Sequence, residues 1–325
     1  MMLPNFAYVR PDSIDEAVRH LSDSGAAIHA GGTDLLSCLR DRVFDVRKVV
    51  SISGLKDLSG IGNAGRGVRI GALTTITAVA ESPIIREKYA ALAQGAREVA
   101  SPQLRHQGTI GGNICQKPRC WYYRGEFDCL RKGGELCYAD GGENAFHCIL
   151  GGYGCYIVHP SDTAPPLVAL NATVRTAGPS GGRTIPLADF HVLPAVDPRR
   201  ETVLEPAEVV TDILLPAPPA GLRSSYRKIR ARRSWDFALA GVALALVMEG
   251  DTVTDGRIVL SGAAPVPWRS KEAESAVIGR SISLETAHKA AAAAMSDAEP
   301  LAQNDYKIPL FKGVIEEELL KLAAG

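Results

Sequence analysis

The sequence predicts an α+β fold: a two-part α/β domain, then a smaller domain of antiparallel sheet packed against helices. Three observations predict it. Short apolar runs alternate with helical patterns through the first half. The stretch 216–221, which contains Ala-Pro-Pro-Ala-Gly, reads as a linker. Beyond it, three strand-like runs precede two helical patterns. At 325 residues the chain is too long for one simple core.

Taken in order, residues 13–24 form the first expected helix, with Ser13 as N-cap and Ile14, Ala17, Val18 and Leu21 at helical spacing. Residues 26–30 are a short apolar run, read as a buried strand, that ends in Gly31-Gly32-Thr33-Asp34; a helix then starts at Leu35-Leu36. Residues 48–52 and 68–73 are further strands, and 77–99 carries two helical patterns. Residues 101–113 are glycine-rich and polar, and 116–154 show no clean period and read as a loop-rich insertion. Strands are expected at 155–158 and 173–176, with a helix at 163–170 between them. Residues 178–220 are rich in proline and turns. After the linker, strands at 225–229, 238–249 and 252–261 lead to helices from Leu284 and from Gly313. The domains are therefore expected at 1–216, split internally near 55–65, and at 221–325.

Composition excludes several functions. The 36 basic residues balance 36 acidic ones, so no polyanion or nucleic-acid partner is implied. The longest apolar run, 237–248, is shorter than the roughly 20 residues a membrane span needs. The N-terminus lacks a signal-peptide pattern, so a cytoplasmic protein is expected. No G-x-S-x-G, H-E-x-x-H or P-loop is present, and no residue pair looks like a substrate-level acid and base.

Two glycine pairs carry the binding chemistry. One is Ala30-Gly31-Gly32-Thr33-Asp34-Leu35; the other is Gly108-Thr109-Ile110-Gly111-Gly112-Asn113. Glycine lets backbone N–H groups approach a diphosphate, and a helix N-terminus behind the turn adds favourable partial charge. Neither fits G-x-G-x-x-G, so the usual Rossmann fingerprint is absent. Asp162, in His159-Pro160-Ser161-Asp162, suits either a ribose hydroxyl or a helix cap. Six of the seven cysteines, Cys115, Cys120, Cys129, Cys137, Cys148 and Cys155, crowd one segment, which argues for metal or redox chemistry. Cys38 stands apart and reads as a small core residue.

AGGTDLL, SPQLRHQGTIGGN and PSD, followed by Tyr226-Arg227-Lys228, occur in the order found in the FAD-binding medium subunits of the xanthine dehydrogenase, or molybdenum hydroxylase, family. The chain resembles that family over essentially its whole length. The resemblance implies a PCMH-like FAD-binding domain and a flavoprotein-type C-terminal domain. It implies that Ile28, His29, Ala30, Gly31, Gly32, Thr33, Asp34 and Leu35 wrap the FAD diphosphate, with Thr109, Gly112 and Asn113 as the second half of the cradle. Asp162 would contact the cofactor's polar middle, Val99 and Val210 would lie against its rings, and Lys228 would sit close to the isoalloxazine. A cation there favours the reduced ring.

Residues 116–154 resemble an insertion found in a sub-group that includes 4-hydroxybenzoyl-CoA reductase and bacterial aldehyde oxidoreductases. That resemblance implies a [4Fe–4S] cluster on Cys120, Cys129, Cys137 and Cys155, with Cys148 as the alternative to Cys155. The spacing Cys-x8-Cys-x7-Cys-x17-Cys has no C-x2-C knuckle, which suits a cluster better than structural zinc, although thiolate crowding still permits zinc. The implied function is electron relay between a large molybdopterin subunit with a small [2Fe–2S] subunit, in a dimer of heterotrimers, and an external carrier such as ferredoxin or NAD. The competing readings are a flavin subunit that reduces NAD and a structural subunit with a zinc loop. Lys117, Arg119, Arg124, Arg131 and Lys132 suggest either solvated loop charge or a basic docking face for an acidic carrier. The substrate of the complex and the direction of electron flow are not encoded in these motifs.

Overall fold

The computed structural model describes residues 3–324. Three sheets organise it. Strands β1 (Ala7–Val9), β2 (Ala26–His29) and β3 (Lys48–Ser51) form a small parallel sheet in the order β1-β3-β2. Strands β4 (Ile61–Ala64), β5 (Gly67–Gly71), β6 (Thr173–Ala177), β7 (Thr184–Pro186) and β8 (Val209–Leu215) form an antiparallel sheet in the order β4-β5-β8-β6-β7. Strands β9 (Leu222–Ile229), β10 (Ala240–Glu249), β11 (Thr252–Ser261) and β12 (Trp268–Arg269) form the third, antiparallel sheet.

Local sequence explains most elements. Helix Ile14–Leu21 begins where the Ser13 side chain accepts the Glu16 N–H, and it buries Ala17 and Val18. β10 alternates strictly: Val242, Leu244 and Leu246 pack with the C-terminal helices, while Ala243 and Ala245 join the core of the first domain. The third sheet is thus buried on both faces. Helices Ala90–Glu98 and Ala164–Ala169 cover one side, and Lys271–Val277, Leu284–Ala294 and Lys307–Ala323 cover the other. Ile149 and Leu150, at the end of the insertion, also enter the second core, and their N–H groups bond Ala263 O. The insertion is therefore anchored to both domains.

Several expectations need correction. Residues 77–99 hold three helices, Ile76–Glu81, Pro83–Lys88 and Ala90–Glu98, because Pro83 cannot continue the first. Residues 155–158 run extended but join no ladder; their neighbours bond irregularly, as in His159 N to Ala264 O. β8 lay unrecognised in the proline-rich stretch because Thr211-Asp212 breaks its apolar run. In the structure Asp212 faces Arg69 and Arg175, so the interruption is an ion-pair site at the centre of the sheet. The last helix starts at Lys307, with Pro309 tolerated in its first turn, and helix Lys271–Val277 was not foreseen. β2 is less buried than expected, with Ile28 40% exposed toward a cleft. Among the described residues, no helix is long and apolar enough to cross a membrane.

Candidate functional site

A cleft of about 940 Å³ opens between the two glycine segments. They meet directly: a Cβ on Gly31 would fall 2.0 Å from Gln107 O, just before Gly108. Gly32 has φ +72°, the left-handed conformation glycine adopts freely, which turns the chain from β2 into helix Leu35–Arg40. Among the described residues, the backbone N–H groups of Gly31, Gly32, Thr33, Asp34 and Leu35 donate to no acceptor in the chain. A row of free amides at a helix start is an anion-binding arrangement.

The second segment works differently from the first. Gly111 and Gly112 lie inside helix Ile110–Ile114, whose N-cap is Thr109. Its amides are already used: Ile110 N donates to Thr74 O, Gly111 N to Ala72 O and Gly112 N to Thr109 Oγ1. The expectation that the glycine N–H groups of this segment approach a diphosphate is corrected accordingly. What this side offers is the bare, exposed surface of Gly112 and the side chain of Asn113. Asn113 Oδ1 accepts from Ser161 Oγ at 2.6 Å and Thr163 Oγ1 at 2.7 Å, which leaves its Nδ2 donors for the cleft.

Ile28, Ala30, Leu35, Val99 and Val210 line the same cleft with the glycines. His29 does not; strand alternation turns it to Ser51, 3.1 Å away. Asp162 reaches the cleft wall, but both its oxygens are taken, by Tyr226 Oη at 2.8 Å and Lys228 Nζ at 2.7 Å. Burial raises its pKa, and Lys228 partly offsets that. It caps no helix; Ser161 Oγ accepts from Ala164 N instead. Lys228 is absent from the lining and is held by Asp162 and the Glu98 carbonyl, so its charge is paired within the chain. Its charge is spent within a buried pair.

The Asp34 side chain has a further role. It receives Arg119 at 2.9 Å, Arg124 at 2.8 Å and the Lys117 N–H at 2.8 Å, so it fastens the insertion to the first glycine turn. Two guanidinium groups around one carboxylate leave a net positive charge beside the free amides. Sequence reasoning missed Trp235 and Phe237 and read Arg119 only as charge on the insertion; all three line the cleft. Arg119 lies over the Phe237 ring at 5.5 Å, and Trp235 is 62% exposed with φ +53°. The exposed pair of aromatics in W-D-F was the available signal.

The cysteines gather behind this wall. Cys120, Cys129 and Cys137 each stand at the N-cap of a one-turn helix: Trp121–Arg124, Leu130–Lys132 and Tyr138–Gly141. Backbone N–H groups of Tyr122 and Tyr123 face the Cys120 sulfur, and those of Ala139, Asp140 and Tyr156 face Cys137. Cys137 and Cys155 are coupled neighbours, and their interaction pushes the Cys137 thiol down to about 6 and its partner up. Arg131, buried beside Cys155, has Nε and Nη2 without acceptors. Cys120 Sγ also meets His147 Nε2 at 3.3 Å. Cys148 is fully buried near Cys137, its thiol raised to about 12 by burial. Cys38 packs with Val43, Tyr123 and Cys129, as a core residue does. Among the described residues no three His, Cys, Asp or Glu side chains are arranged to hold a metal ion.

The insertion's basic residues all point inward. Arg124 binds Asp34, Arg131 and Lys117 bind Glu201, and Lys132 donates to Gly125 O. A basic docking face is therefore not what these residues build.

His159 and His191 stack edge-on at 4.3 Å below helix Ile110–Ile114, and His191 Nε2 donates to Ile114 O. Burial lowers both, His191 to about 4. The unfolded chain therefore binds protons first as pH falls, so stability is full above about pH 6.5 and declines below it. Between pH 7 and pH 5, His191 alone should remove about 2 kcal/mol. Urea unfolding at both pH values checks this; His191→Gln should flatten the slope, and equal slopes would refute the assignment.

A family model described as the FAD binding domain in molybdopterin dehydrogenase matches residues 4–218. A second, the CO dehydrogenase flavoprotein C-terminal domain, matches 224–321. The aldehyde oxidoreductase FAD-binding subunit PaoB of Escherichia coli (strain K12) is 34% identical over 98% of each chain. The carbon monoxide dehydrogenase medium chain of Hydrogenophaga pseudoflava is 30% identical over 98% of this chain and 97% of its own. The solved carbon monoxide dehydrogenase from that organism, lacking the Mo-pyranopterin moiety, superposes with TM-score 0.79 at 30% identity, covering 100% of this chain and 99% of the other.

Proposed function

The chain belongs to the family of FAD-binding subunits of molybdopterin dehydrogenases, and from that premise we propose that it is the electron-relay subunit of its complex, holding FAD in the cleft and a [4Fe–4S] cluster in the insertion. The observation that carries the flavin half is the row of free amides at residues 31–35 facing Gly112 and Asn113 across the cleft. FAD, when bound, exchanges two-electron for one-electron chemistry. The chain's own residues do the binding. Amides 31–35 and the excess charge of Arg119 and Arg124 receive the diphosphate, Asn113 Nδ2 adds a side-chain donor, and Trp235 and Phe237 shelter the mouth from water.

The cluster half rests on donor chemistry. Cys120, Cys129, Cys137 and Cys155 supply four thiols in an irregular loop, three of them at helix starts; burial raises the Cys120 thiol to about 11, while Cys137 is held down to about 6. Backbone N–H groups aim at the sulfurs, and the spare donors of buried Arg131 suit an anionic sulfur-rich group. Such a cluster would pass single electrons between the flavin and an external carrier. Relatives named medium chain point to one large and one small partner, and assembly into a dimer of heterotrimers is part of this reading. So is the division into domains at 1–216 and 221–325.

The test is Cys137→Ser. Iron in the purified complex should fall by about one cluster, while flavin stays bound. Unchanged iron would mean that the ligand set is wrong, and the same experiment with Cys155→Ser and Cys148→Ser decides which of those two is a ligand.

A further inference from the structure

The outer face of the insertion carries a second kind of information. Between residues 120 and 156 every acidic side chain, Glu126, Asp128, Glu135, Asp140 and Glu143, is exposed and none joins an ion pair. Every basic side chain in that span is turned inward, as described above. At the centre, Trp121, Phe127 and Phe146 are 40%, 42% and 52% exposed. They form one connected surface. Trp121 meets Phe146 at 5.7 Å, and Tyr122 links Trp121 at 6.2 Å to Phe127 at 5.0 Å. This surface adjoins Cys120: the Trp121 and Tyr122 rings lie 5.7 Å and 6.1 Å from His147, whose Nε2 touches the Cys120 sulfur.

We propose that this face is a docking surface for a protein partner with an apolar centre and a basic rim. An exposed aromatic centre flanked by unpaired acids, with Arg199 bordering it beside Gly133, is the arrangement of a protein contact site, and the acidic excess sets the partner's sign. A second copy of this chain is a poor occupant, because a two-fold contact would bring like acids together. An acidic carrier such as ferredoxin is repelled for the same reason. If the insertion is the electron exit proposed above, the occupant is the electron carrier. The surface chemistry itself does not depend on that reading.

The test uses the full complex and two probe proteins of opposite charge. Cytochrome c has lysines around an apolar haem edge; plant-type ferredoxin is acidic. At low salt cytochrome c should bind and ferredoxin should not. Glu126→Gln combined with Asp128→Asn and Glu143→Gln should weaken cytochrome c binding about ten-fold and reduce its salt dependence. Glu249→Gln with Asp251→Asn, at the opposite end of β11 from the insertion's anchor, should leave it unchanged. Phe127→Ala should weaken binding without altering the salt dependence. Preferential ferredoxin binding, or equal affinity in the triple variant, would overturn the proposal. So would loss of the partner subunits from the triple variant, since the face would then be buried within the complex. Iron and flavin are counted in the same samples. Full iron without cytochrome c binding defeats the docking surface and spares the relay; binding without iron does the reverse.

Discussion

Replacing Gly31 with alanine should give a chain that purifies without flavin. The new Cβ would lie 2.0 Å from Gln107 O and 2.8 Å from its carbonyl carbon, and both are backbone atoms. Nothing there can rotate away. The first glycine turn must move off the second segment, and the free amides then no longer face Gly112 and Asn113. Overpacking of this kind costs about 3 kcal/mol, roughly a hundredfold in FAD affinity. Gly62→Ala, in β4, is the control, because its Cβ would meet nothing within 4 Å. Flavin released by denaturation and titrated back by fluorescence gives the comparison. Equal losses from the two substitutions would show that contact between the segments is not what forms the site.

The second large effect is expected from Lys228→Met. Lys228 and Asp162 side chains are 1% and 5% exposed, so the substitution strands a carboxylate away from water. Removing one partner of a buried pair costs about 3–5 kcal/mol. The loss should show a distinctive pH dependence. Burial already raises the Asp162 pKa, and removing Lys228 raises it further. The folded variant therefore takes up a proton more readily than the unfolded chain, so its deficit shrinks as pH falls. Adding Asp162→Asn should recover most of the stability, because the neutral amide no longer needs a cation. Urea unfolding of the single and double variants measures both effects. A double variant as unstable as Lys228→Met would show that packing, not charge, holds this corner together.

Elements whose signals are local were legible in the sequence. Ser13 announces its helix, β10 alternates between two cores, and the glycine segments mark the cleft. What was not legible depends on partners far along the chain. The Asp34 carboxylate looks available to a cofactor until Lys117, Arg119 and Arg124 fold onto it. Lys228 looks like a free cation until Asp162, 66 residues away, claims it. The diglycine of residues 111–112 resembles the one at 31–32, yet Ala72 and Thr74 have already taken the amide donors of Ile110 and Gly111. β8 was hidden because two polar residues that belong to an ion-pair site broke its apolar pattern. The basic residues of the insertion seemed to face a partner, and the tertiary fold turned them inward instead.

The claim on which the rest depends is that one chain holds a flavin and a sulfur-ligated cluster side by side. Flavin and iron counted in the same preparation of the complex, with the [2Fe–2S] iron of the small subunit subtracted, test it most directly. The account predicts one FAD per chain and about four additional irons. Flavin without the additional iron would contradict the relay, and a preparation lacking flavin altogether would contradict the site itself.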